Sequence, residues 1–166
     1  GVCVTVMSNQ ALEDYLAKSN IKTYRCDVGD KNVLECLYRQ NINFGGEQSG
    51  HIIVSDFAKT GDALVASLAV MHCVLTEKQK VSRLFNPFIL YPQLQHNLKV
   101  DNKIPLLELQ GYDALIREFQ SKQLRVLIRY SGTENLLRIL LEGKDEQVLE
   151  ASMEKAVAFF KSALNE

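Results

Sequence analysis

An α/β unit followed by a small α+β unit is the fold class this sequence predicts, and three observations predict it. The first forty residues alternate short apolar runs with helical stripes. Pro87 and Pro92 then interrupt the periodic pattern. Beyond them, two period-two runs flank a polar loop and a long amphipathic stretch closes the chain. Strand–helix–strand–helix alternation signals a mixed, mostly parallel sheet with helices packed on it. A few antiparallel strands backed by two helices form the layered α+β pattern.

Val2 to Val6 reads as the first strand, and Ser8-Asn9 as a turn or helix cap. Gln10 to Ser19 follows as a helix with Leu12, Tyr15 and Leu16 on one face. Ile21 to Cys26 is a second strand. Asp30 is expected to cap the helix Lys31 to Arg39, whose stripe is Val33, Leu34, Leu37 and Tyr38. Asn43 to His51 reads as a glycine-bearing loop at a sheet end, running into the strand Ile52-Ile53-Val54. α/β folds place their ligands at such ends. A second polar loop, Ser55 to Asp62, precedes the helix Ala63 to Leu75, with Thr60 or Asp62 as its cap. That helix is apolar nearly all round, which predicts burial.

Lys78, Lys80, Pro87 and Pro92 mark a boundary near 86–92, which gives domains 1–86 and 87–166. In the second, Leu94 to Val100 is a strand and Leu106 to Gln120 contains a helix, with Leu115, Ile116 and Phe119 inward. Leu124 to Tyr130 and Leu136 to Glu142 are strands. Asp145 caps a long helix carrying Val148, Leu149, Met153, Val157, Phe160 and Leu164 along one stripe.

With 46% hydrophobic and 23% charged residues in 166, the composition is that of an ordinary globular chain. A net charge of −1 argues against bulk nucleic-acid binding, so any anion site must be local. There is no long apolar run to span a membrane and no signal-peptide pattern. Cys3, Cys26, Cys36 and Cys73 form no C-x-x-C pair and sit in apolar segments, which reads as buried thiols of a reducing compartment. His51, His72 and His96 show no metal-ligand spacing. A buried strand immediately after Gly1 leads to the expectation that the chain is a piece of a longer protein.

The loop Arg129-Tyr130-Ser131-Gly132-Thr133-Glu134-Asn135 gathers the richest anion chemistry. Arg129 offers a planar fork matched to phosphate or carboxylate. Ser131 and Thr133 add hydroxyls, and Gly132 is expected to let the backbone bend so that its N–H groups point at an anion. An ordinary hairpin turn is the alternative. Keeping Arg138 out of the core pairs Tyr130 with Leu137 and therefore Arg129 with Arg138. Two arginines directly opposite are unfavourable unless an anion sits near them.

Gly45-Gly46-Glu47-Gln48-Ser49-Gly50-His51 is neither a P-loop nor a nucleophile elbow, since no Lys-Ser/Thr pair follows and no Gly-x-Ser-x-Gly is present. A glutamate beside a serine suits sugar hydroxyls, the carboxylate accepting two hydrogen bonds. The alternative is a glycine-rich turn with an exposed glutamate. A glycosidase-type pairing of Glu47 with Asp56 or Asp62 depends on a separation the sequence does not fix.

Together these loops resemble those of the α-D-phosphohexomutases. Gly45 to His51 is similar to their sugar-binding loop, and Arg129 to Glu134 to their C-terminal phosphate-binding loop. Thr5-Val6-Met7-Ser8-Asn9, Val28-Gly29-Asp30 and Thr60-Gly61-Asp62 resemble the phosphoglucosamine mutase branch, and all five stretches follow the family's order. Lys31-Asn32, Tyr130 and Asn135 depart from residues usual there. The resemblance implies most of a third domain and all of a fourth, the latter TATA-binding-protein-like. Domains 1 and 2, with a phosphoserine nucleophile and a Mg²⁺ loop, would lie outside this chain, which then holds no catalytic residue and no metal ligand. The implied reaction interconverts glucosamine 6-phosphate and glucosamine 1-phosphate through a bisphosphate, in the cytoplasm. Glu47, Ser49 and Asp30 would meet the sugar of this hexosamine phosphate substrate. Arg129, Ser131, Gly132 and Thr133 would grip its phosphate, with Arg138 beside them. Phosphomannomutase/phosphoglucomutase activity, or a non-catalytic sugar-phosphate-binding module, are the other readings.

Overall fold

Strand β1 (Val2–Thr5) is the inner strand on which the first sheet is built. It pairs in parallel with β2 (Thr23–Cys26) on one side and β3 (Phe44–Gly46) on the other. β4 (Ile52–Val54) joins β3 antiparallel, so the order is β2-β1-β3-β4. The computed structural model describes residues 1–164, in two units that divide between Leu90 and Tyr91.

In the first unit, α1 (Gln10–Ala17) follows β1 and α2 (Asp30–Gln40) follows β2, giving the mixed, mostly parallel α/β arrangement. Asn9 caps α1 by accepting from Ala11 N at 3.0 Å. The core gathers Cys3, Val33, Cys36, Leu37 and Ile53, each at most 1% exposed. Phe44-Gly45-Gly46 is a strand rather than the loop the glycines suggest. A Cβ on Gly45 would stand 2.7 Å from the Cys3 carbonyl and 2.9 Å from Val33 Cγ1, so only glycine lets β3 lie this close to β1 and α2.

Three expectations need correction here. Asp30 is the first residue of α2, not its cap; Gly29 occupies that position at φ +123°, a backbone region open to glycine. Helix α3 (Ala63–Glu77) is well capped by Asp62, which accepts from Leu64 N and Val65 N, yet none of its residues is buried. Leu64, Leu68, Met71 and Leu75 are all more than half exposed. A helix apolar all round needs neighbours on several sides, and α3 packs chiefly on β4. Of the cysteines, only Cys26 is a buried free thiol: Cys73 is exposed and Cys3 is bonded to Cys36. A short helix, α4 (Val81–Leu84), lies in the stretch read as linker.

The second unit is an antiparallel sheet of β5 (Gln93–Lys99), β6 (Arg125–Tyr130) and β7 (Leu136–Glu142), in the order β5-β7-β6. Helices α5 (Tyr112–Ser121) and α6 (Glu146–Leu164) supply the rest of its core, after a 3-10 turn at Leu106–Glu108. Asp145 caps α6 by accepting from Val148 N at 3.0 Å. Leu137, Ile139 and Leu141 of β7 pack with Phe119, Leu149 and Phe160, each at most 1% exposed. Truncating either phenylalanine to alanine costs about 3–5 kcal/mol in such a core. The opposite face of the sheet is polar at the loop end, where Asn97, Arg138 and Arg129 lie side by side. The last two residues of the 87–166 range lie outside the described residues.

Candidate functional site

Each unit holds a polar constellation that contains the residues expected from the sequence. In the first, Glu47 follows β3 directly and opens the turn to β4. Its backbone N–H donates to the His51 carbonyl at 2.9 Å, and Gly50 N donates back to the Glu47 carbonyl at 3.1 Å. The side chain is held from two sides. Gly29 N, at the start of α2, donates to Oε1 at 2.8 Å, and His51 Nδ1 lies 3.1 Å from Oε2. The Glu47 side chain is only 6% exposed. An orphan amide at a helix start is a natural partner for a carboxylate.

This geometry corrects the picture of a glycine-rich turn with a dangling glutamate. The Gly29–Glu47 bond also brings the start of α2, where Asp30 is the first residue, to the glutamate turn. Asp30 is exposed and accepts from its neighbour Lys31 N at 2.8 Å. Ser49 stands exposed at the tip of the same turn. Gly61, of the Thr60-Gly61-Asp62 stretch, lies against the His51 ring, a Cβ there meeting it at 3.9 Å. Glu47, Asp30, Ser49 and His51 thus belong to one rim at the C-terminal ends of β2 and β3.

In the second unit the register is the one the alternation predicts: Tyr130 opposite Leu137 and Arg129 opposite Arg138. The loop closes with Ser131 N donating to the Leu136 carbonyl at 2.8 Å. Ser131 is 3% exposed, and its carbonyl accepts from Lys103 Nζ at 2.7 Å. Tyr130 fixes the loop base by donating its hydroxyl to the Ile104 carbonyl at 2.7 Å, and burial pushes its pKa up.

The charge near the arginine pair comes from within the loop. Glu134 Oε2 sits 3.0 Å from an Arg138 terminal nitrogen, and that nitrogen also reaches Ser131 Oγ at 3.4 Å. Arg138 Nε is buried without a partner among the described residues. The Arg129 guanidinium makes no hydrogen bond or ion pair among them. Gly132 and Thr133 are exposed. A Cβ on Gly132 would touch nothing within 4 Å, so the loop itself gives no steric reason for glycine there. Sequence reasoning missed Glu134 and Lys103. The first was visible as the only acid in the loop, while the second comes from a distant connection with no local signal.

The chain is similar to known proteins along its whole length. Residues 1–90 match the model described as phosphoglucomutase/phosphomannomutase, alpha/beta/alpha domain III, and residues 96–158 match the C-terminal domain of the same family. A phosphoglucosamine mutase of Aliarcobacter butzleri is 55% identical over 98% of this chain, and one of Wolinella succinogenes is 57% identical over 96%. The chain spans only 37% and 36% of those two proteins. Among solved structures, the N-acetylphosphoglucosamine mutase of Aspergillus fumigatus superposes with a TM-score of 0.81 at 19% identity, over 98% of this chain and 38% of that one. Another structure of that enzyme, in complex with GlcNAc-6P and magnesium, gives a TM-score of 0.79 at 17% identity, over 98% and 39%. On the strength of the two domain matches, the chain belongs to the phosphoglucomutase/phosphomannomutase family.

Proposed function

We propose that this chain is the substrate-recognising part of a cytoplasmic phosphoglucosamine mutase, which interconverts glucosamine 6-phosphate and glucosamine 1-phosphate. The observation that carries the reading is Arg129, an uncommitted guanidinium on a hydroxyl-rich loop beside a second arginine. A phosphate of the substrate would take its bidentate fork, with Ser131, Thr133 and the N–H groups around Gly132 completing the grip. Arg138 would join once phosphate displaces Glu134. Glu47, already fixed by Gly29 and His51, would accept sugar hydroxyls on its remaining lone pairs, with Ser49 and Asp30 on the same rim.

Phosphoryl transfer rests on positioning and charge stabilisation, and these residues supply the positioning. The nucleophilic phosphoserine and its domain, with a second domain, would precede this chain in the whole protein. Magnesium belongs with those domains. The His, Cys, Asp and Glu groups close enough to hold an ion among the described residues are Cys3, Cys26 and Cys36, sulfur donors that a hard cation does not choose.

The test is turnover by the whole protein with glucosamine, glucose and mannose phosphates. The highest kcat/KM is expected for glucosamine phosphate. A preference for glucose or mannose phosphate would make it a phosphoglucomutase/phosphomannomutase instead, and no turnover at all would leave a binding module. The polypeptide of residues 1–166 alone is expected to bind sugar phosphate without isomerising it.

A further inference from the structure

Cys3 on β1, Cys26 at the end of β2 and Cys36 on α2 place their three sulfurs within 4.8 Å of one another. They are 0%, 9% and 1% exposed, so Cys26 is the side nearest solvent. None of them touches a substrate in the reading above. Cys3 and Cys36 are joined as a disulfide across 33 residues. A phosphine reductant opens that bond: two electrons pass from phosphorus to sulfur, water supplies the oxygen of the phosphine oxide, and its two protons leave two thiols. Three thiols then face one small volume from three elements of a packed core.

The size fits a three-coordinate thiolate site. With ion–sulfur bonds of about 2.3 Å, three sulfurs stand about 4.0 Å apart around a planar centre and closer around a pyramidal one, inside the 4.8 Å that the cluster spans. Soft thiolate donors select soft ions. Charge decides between them. The three cysteines are at most 9% exposed, so the site is dry. A monovalent or divalent ion on three thiolates would leave net negative charge in that dry surrounding, which is costly. A trivalent ion leaves none.

We propose that the reduced cluster of Cys3, Cys26 and Cys36 binds a trivalent thiophilic ion of the arsenite class as a neutral trithiolate. Arsenious acid exchanges its three hydroxyls for three sulfurs. Three As–S bonds form, three As–O bonds break, each thiol proton leaves with a hydroxyl as water, and no electron moves.

The experiment titrates the chain, reduced with a phosphine under inert gas, with arsenite. Intact mass is expected to show one arsenic gained and three protons lost. A thiol count on the complex is expected to find one reactive thiol, Cys73. Cys26→Ser should weaken binding by at least the roughly 10–100-fold that losing even a supporting group costs a metal site, and Cys73→Ser should leave it unchanged. Protection of only two thiols, equal affinity in Cys26→Ser, or no arsenic bound overturns the proposal. Should Cys26→Ser not fold, the thiol count on the unaltered chain decides alone, three protected supporting the site and fewer refuting it.

Discussion

Arg129 and Arg138 face each other across β6 and β7 with unequal partners: Glu134 holds Arg138, and Arg129 is left uncommitted among the described residues. In the proposed phosphate grip, one guanidinium is then ready for the incoming anion and the other must first be released.

Arg129→Ala in the whole protein is expected to weaken productive phosphate binding by about 2–4 kcal/mol, as for a charge-assisted bidentate contact. Since the Arg129 guanidinium pairs with no other group among the described residues, Tm should hardly move. Unchanged kcat/KM, measured at limiting substrate, would remove Arg129 from the site.

Glu134→Gln frees Arg138 at little structural cost, because the pair is about half exposed at both ends and such pairs contribute about 0–1 kcal/mol. Inorganic phosphate should bind residues 1–166 more tightly in this variant, read by calorimetry. Weaker binding would mean that Glu134 positions Arg138 rather than competing for it.

Glu47 joins stability to the proposed sugar recognition, and two substitutions separate them. Glu47→Ala leaves the Gly29 N–H without its acceptor and should cost about 1–3 kcal/mol in denaturant unfolding. Glu47→Gln keeps an acceptor for Gly29, so its unfolding should stay near that of the native chain while kcat/KM falls in the whole protein. Equal unfolding curves for both variants would show that the Gly29 bond contributes nothing.

Glu118 links α5 to α6 through Lys155 and to its own helix through Lys122. The Lys155 hydrogen bond, then that of Lys122, hold its carboxyl below the usual glutamate value. A depressed folded pKa means the unfolded chain takes up the proton first. The stabilisation is therefore present above the ordinary glutamate pKa and is lost as pH falls through the lower folded value. Glu118→Gln should flatten the acid limb of a stability–pH profile, and an identical limb would show the link to be inert.

What the sequence disclosed was whatever one residue's periodicity could decide. Arg138 cannot enter the core, so the β6–β7 register followed from alternation alone, and with it the facing arginines. The caps at Asn9, Asp62 and Asp145 were legible because each is a short polar side chain just before an apolar stripe. The Cys3–Cys36 bond was not, since 33 residues separate the partners and only the β1–α2 packing makes them face. Nor was the exposure of α3, because an apolar surface tells what a helix needs against it and not whether that covering is there. The Glu134–Arg138 pair also escaped, being an i,i+4 contact made across a hairpin loop rather than along a helix.

The two hydrogen bonds that hold Glu47 have a kinetic meaning as well. The carboxylate is already in one rotamer before any ligand arrives, so little disorder is left to remove at encounter. Ligand capture at this turn should then be a single fast phase, linear in ligand concentration, with no slow conformational step behind it.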